Sequence, residues 1–72
     1  MKNDKEYGEI VASNLRAYRN KYRISQRNLA EMINVHYTTY INYEKNASRI
    51  KFTTIIKLAE IFNCNPSDFF KE

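Results

Sequence analysis

One glycine and one proline are all that interrupt this chain of 72 residues, and that scarcity constrains its fold more than any single motif. An all-β domain needs many turn residues. Here the apolar residues recur at i, i+3 and i+4, the spacing of a helix face. Tyr7, Ile10, Val11, Leu15, Tyr18 and Tyr22 form such a stripe and predict a first helix over roughly Lys5–Lys21. Ser25 is a good N-cap for a second helix over Gln26–Ile33, with Leu29, Ala30 and Ile33 facing inward. A third runs over Tyr37–Glu44, and a fourth over Phe52–Phe62 with Phe52, Ile55, Ala59 and Phe62 on one face. A short fifth helix starts at Pro66, with Asn65 as N-cap and Asp68 near its positive end. The expectation is one all-α domain over residues 1–72, with residues 1–6 as a flexible N-terminus.

Helix stops favour a residue that tolerates positive φ, which asparagine adopts next best after glycine. Asn34, Asn46 and Asn63 follow the second, third and fourth helices and are predicted to fill that role.

Composition excludes several classes. An apolar fraction of 43% with 28% charged residues suits a globular chain. The lone Cys64 permits no intramolecular disulfide, which points to an intracellular, cytoplasmic setting, and there is no apolar run at the N-terminus or long enough for a membrane span. One histidine and one cysteine make no metal set, and no nucleophile–base pair or glycine-rich phosphate loop is recognisable, so neither an enzyme nor a cofactor is expected. A domain this small buries only about 60% of its unfolded surface, and self-association is a common remedy.

The charge is +4, and its placement is uneven. No acidic residue lies between Glu9 and Glu31, whereas Arg16, Arg19, Lys21, Arg23 and Arg27 do, and Lys45, Arg49 and Lys51 form a second group. Two basic clusters flank the third helix and suit either a polyanion partner or plain solvation. That helix is too short to be stable alone. If Val35, Tyr40 and Tyr43 point to the core, Tyr37, Thr38, Ile41 and Asn42 point away. A mixed polar, aromatic and apolar face of this kind suits base edges: asparagine pairs with adenine, threonine donates or accepts, and isoleucine touches a thymine methyl.

The segment ISQRNLAEMINVHYTTYINYEKN, residues 24–46, resembles the helix-turn-helix of the lambda-repressor-like family of phage repressors and bacterial regulators. The matching residues are Ile24, Ser25, Gln26, Leu29-Ala30, Asn34, Val35 and Tyr40-Ile41-Asn42-Tyr43-Glu44, with Leu15-Arg16 and Tyr18-Arg19 upstream and FTTIIKLAEIFNCNPSDFF downstream. The resemblance covers nearly the whole chain. It departs where the family usually has Gly (Asn34, Asn46), a Ser-like cap (His36), Pro (Ile50) or a smaller aliphatic (Tyr40).

The resemblance implies a five-helix fold with helices two and three as the helix-turn-helix, in a bacterial or phage-encoded regulator, most simply a repressor acting as a homodimer on a palindromic operator in double-stranded DNA. It implies base contacts from Tyr37, Thr38 and Asn42, with Ile41 either a base contact or partly buried, and phosphate contacts from Gln26, Lys45 and Asn46. By charge and position Arg49 and Lys51 are further phosphate contacts, and His36, a poor cap, is expected to face phosphate or base. It implies a structural ion pair between Arg19 and Glu44. Of the terminal phenylalanines one is expected in the core, with Phe70 as a dimer contact. Cys64 reads as a small core residue. The alternatives are an antitoxin-like or other protein-interaction module, and a single-strand binder using tyrosine stacking.

Overall fold

The computed structural model describes residues 1–72 and is all-helical. Its elements are α1 (Asp4–Lys21), α2 (Gln26–Met32), α3 (Tyr37–Lys45), α4 (Phe52–Ile61) and a C-terminal 3-10 helix (Pro66–Phe70). The fifth element expected as a helix is thus a five-residue 3-10 turn. Asn65 N–H donates to Asp68 Oδ2 at 3.0 Å, and Asp68 N–H returns a bond to the Asn65 carbonyl at 2.9 Å.

Residues 3–6 form the cap and first turn of α1. Glu6 N–H donates to Asn3 Oδ1 at 2.9 Å, and Asn3 N–H donates to Glu6 Oε1 at 3.2 Å, a reciprocal capping box. Lys2 also forms an ion pair with Glu72, bringing the two ends of the chain together.

Three helix exits share one geometry. After α1, α2 and α4 the chain enters the left-handed region at Arg23 (φ 57°), Asn34 (φ 59°) and Asn63 (φ 53°). In each case the next residue's N–H reaches back to a carbonyl five positions earlier: Ile24 to Arg19, Val35 to Ala30 and Cys64 to Ala59. Ile24, Val35 and Cys64 all pack against the core. These are Schellman closures with their apolar contact. Asn34 and Asn63 were legible as such; Arg23 was not, because a long side chain is an uncommon occupant of that region. Asn46 was assigned wrongly. Its φ of −160° and ψ of 123° are extended, so α3 ends by a different device.

That device is tertiary. Asn46 Nδ2 donates to the Lys5 carbonyl at 2.9 Å, and Ser48 N–H donates to Asn46 Oδ1 at 2.9 Å. Ala47 N–H donates to the Gly8 carbonyl at 3.0 Å. The chain leaving α3 is therefore laid directly against α1, and the single glycine is what admits it.

The core joins Val11 and Leu15 of α1, Leu29 and Ala30 of α2, Tyr40 of α3, Ile55, Leu58 and Ala59 of α4, and Phe69. At one end four rings interlock. Tyr18 stacks on Phe62 (centroids 5.5 Å apart), Tyr22 stacks on the same ring at 5.5 Å, and Phe69 tilts against Tyr18 at 5.4 Å. Asn14 Nδ2 donates to the carbonyls of Phe69 and Lys71, both at 2.8 Å, fastening the C-terminal turn to α1. Three residues of the expected stripes are not core. Tyr22, at the end of α1, is 45% exposed although its ring stacks on Phe62. Tyr7 is 47% exposed, and Phe52, expected inward, is 76% exposed because it opens α4 before that helix reaches the core.

A β-carbon at Gly8 would lie 2.1 Å from Asn46 Oδ1 and 2.6 Å from the Ser48 backbone nitrogen. The neighbours cannot yield, since Asn46 is held at both ends of its amide. Gly8→Ala raises helix propensity by about 1 kcal/mol, yet overpacking of this kind costs about 1–3 kcal/mol. The expected outcome is a net loss of stability, read as a lower midpoint in urea unfolding. A gain would show that the junction between Asn46 and α1 is loose.

Candidate nucleic-acid interface

The helix-turn-helix pair is set by one carboxylate. Glu44, at the end of α3, is 4% exposed. Arg19 of α1 donates through Nε to Glu44 Oε2 and through Nη2 to Oε1 at 3.1 Å, while its Nη1 reaches the Ile24 carbonyl at 3.0 Å. Tyr40 donates its hydroxyl to Oε2, and Gln26 Nε2 donates to Oε1 at 3.1 Å. Arg16 donates to the Glu44 backbone carbonyl, a cation at the helix's negative end. Burial alone would push the Glu44 pKa up. Hydrogen bonds from Arg19, Tyr40 and Gln26 outweigh it and hold the carboxyl below its usual range. Burial and the adjacent carboxylate push the Tyr40 phenol well up, so it stays a donor.

The expected Arg19–Glu44 pair is therefore present and is the centre of a larger cluster. The structure gives Gln26 a different neighbour from the one expected. Its amide faces the Glu44 carboxylate, so one donor is used inside the fold. Tyr40, where the family usually has a smaller aliphatic, is completely buried and supplies a hydroxyl that an aliphatic could not.

With Tyr40 and Glu44 buried, the opposite side of α3 is forced outward. Thr38, Asn42 and Lys45 are exposed at i, i+4 and i+7, one line along the helix. Tyr37 and Ile41 flank that line and are half-buried. His36 occupies the N-cap position, is exposed and makes no capping bond, as expected for an imidazole.

On the other flank an open groove of ≈ 610 Å³ is lined by Lys5, Thr39, Asn42, Tyr43, Lys45, Asn46, Ser48 and Arg49. Three cations border it, and none is paired: the chain's ion pairs are Lys2–Glu72, Arg19–Glu44 and Lys71–Asp68. Asn46, expected as a phosphate contact, lines the same groove. Its amide donates one N–H to Lys5 and accepts from Ser48, which leaves its second N–H free, and its backbone N–H bonds the Asn42 carbonyl at 2.9 Å. Lys5 was missed because a contact spanning 41 residues brings it there. Thr39 and Tyr43 were missed because the helical pattern alone divides α3 into two faces, whereas the groove wall lies between them.

Such a surface can receive a polyanion along its cationic edge and offer hydrogen-bonding side chains to whatever lies between. Comparison with known proteins identifies the class. Residues 15–69 match the helix-turn-helix family model, and the chain belongs to that family of DNA-binding domains. A relative of known designation is Control protein C.SmaI of Serratia marcescens, 38% identical over 55 residues, covering 76% of this chain and 66% of that protein. No helix is long and apolar enough to cross a membrane.

Two measurements test the cluster. Glu44→Ala leaves the half-buried Arg19 guanidinium and the buried Tyr40 hydroxyl without their carboxylate, and breaking a buried pair on one side costs about 3–5 kcal/mol. A loss of that order lowers Tm by more than about 10 °C in a domain of this size. The pH dependence has a definite sign. A carboxyl whose folded pKa lies below its unfolded value contributes stability that is complete above the unfolded value, 4.5, and is lost as pH falls through the folded one. Wild-type Tm is expected to drop on acidification below that value, and Glu44→Gln is expected to flatten this part of the profile.

Proposed function

We propose that this DNA-binding regulator is a sequence-specific repressor that binds a palindromic operator as a homodimer. The observation that carries the reading is the exposed line of Thr38, Asn42 and Lys45 beside a groove bordered by Lys5, Lys45 and Arg49. α3 enters the major groove, and α2 crosses the backbone. Thr38 and Asn42 hydrogen-bond base edges, with Tyr37 and Ile41 making the flanking contacts. Lys45, Arg49 and Lys5 neutralise phosphates, and His36 meets the backbone at the other end of α3. Gln26 approaches phosphate only through the part of its amide that Glu44 leaves free. A regulatory role agrees with the designation of the relative as a control protein.

The second copy is seated on the apolar side. Tyr7, Phe52 and Phe70 are 47%, 76% and 54% exposed. Tyr7, Phe52 and Phe70 rim a shallow groove of ≈ 220 Å³ whose floor is Val11, Ala47 and Ile55. Large exposed apolar side chains gathered in one place mark a contact surface, and a monomer this small reads too few base pairs for a unique site.

The functional test begins with a duplex selected from a random pool by the wild-type chain, compared with a scrambled duplex at two salt concentrations. Asn42→Ala and Thr38→Ala are expected to reduce the preference for the selected duplex by about 1–3 kcal/mol. Lys45→Ala and Lys5→Ala are expected to weaken both duplexes alike and make the slope of log K against log salt shallower by about one unit. An Asn42→Ala chain with its preference intact shows that α3 is not the reading helix.

For the dimer, Phe70→Ser and Phe52→Ser are expected to shift the chain to monomer in sedimentation equilibrium and to abolish cooperative filling of two half-sites. A wild-type chain that is monomeric both free and on the selected duplex refutes the dimer.

A further inference from the structure

Arg27 stands where helix physics disfavours it. It is the second residue of α2, at the positive end of the helix dipole, and the first turn carries no acidic residue to balance it. It takes part in none of the chain's ion pairs. Its guanidinium instead lies over the Tyr37 ring, with Cζ 4.2 Å from the ring centroid. That is well within cation–π range. Tyr37 is the first residue of α3, and α3 has no side-chain cap to hold its opening turn. The ring is half-buried, and Arg27 lies on it at the end of the helix that the proposed function places in the major groove.

We infer that Arg27 is a positioning residue for sequence reading: its planar guanidinium clamps the Tyr37 ring in one orientation, so that the phenol meets a single base step at the edge of each half-site. The inference rests on the DNA-reading role proposed for α3. It differs from a phosphate contact, which needs only charge. A clamp over the ring face draws on the flat guanidinium, and a lysine ammonium, a compact and strongly hydrated charge, does not replace it.

Arg27→Lys therefore separates the two roles. The expected result is an unchanged salt slope and unchanged affinity for a scrambled duplex, with preference for the selected duplex reduced by about two- to fivefold, the range for an exposed cation–π pair. In a Tyr37→Leu background the same substitution is expected to have no further effect on preference, since the clamp has nothing left to hold. An independent readout needs no DNA: Tyr37→Leu should move the Arg27 side-chain proton resonances downfield in the free protein as the ring-current shielding is removed.

A wild-type chain with a clear preference that Arg27→Lys leaves intact, or Arg27 resonances that ignore Tyr37→Leu, overturns the clamp and spares the regulator reading. A wild-type chain with no sequence preference on any duplex overturns both, and the resonance experiment still reports whether the pair exists.

Discussion

The Glu44 carboxylate is the interaction on which the other features depend. It is a buried charge, which is costly unless fully satisfied, and it is satisfied from three helices: Arg19 from α1, Gln26 from α2 and Tyr40 from α3 itself. No buried polar side-chain atom is left without a partner. α2 has seven residues and α3 nine, both too short to persist without tertiary contacts. The carboxylate fixes them to each other and to α1 at one point. Because Glu44 and Tyr40 must face inward, Thr38 and Asn42 must face outward. The exposed face is a geometric consequence of the buried one.

A second constraint acts at the far end of α3. Three helices leave through left-handed closures that need little beyond a tolerant residue and an apolar successor. α3 leaves through Asn46, whose amide is bonded to α1 and to the following loop. The loop bearing Lys45 and Arg49 is thereby held against the first turn of α1, and Lys5 joins the same groove. One asparagine thus converts three distant cations into a single electrostatic edge.

The two ends of α3 are held by different physics. At the C-terminal end hydrogen bonds to backbone carbonyls and to the buried carboxylate define the geometry. At the N-terminal end a half-exposed ring and a guanidinium rest on each other with no hydrogen bond between them. The first arrangement belongs to the stability of the domain. The second contributes little to stability and lies on the face assigned to DNA, which is why it can serve discrimination at small cost to folding.

Much of this was written in the linear pattern. Scarce glycine and proline, apolar spacing and the N-cap serine determined that the chain is helical and placed four helices to within a residue or two. Asn34 and Asn63 announced their turns, because positive φ is a local property of one residue. Thr38 and Asn42 were legible as the outward side of α3 because helical periodicity separates faces, whereas Tyr37 and Ile41, expected beside them, are half-buried. What the sequence alone could not decide were facts of distance through space. Gln26 turns to Glu44 across 18 residues, Asn46 reaches Lys5 across 41, and Gly8 is small because a loop must pass it. Phe52 fits an apolar stripe yet lies outside the core, since periodicity gives a direction around a helix and not where the neighbouring elements end. Local rules act through φ, ψ and spacing, which each residue carries with it. Hydrogen-bond partners and close approach are settled only when the helices pack.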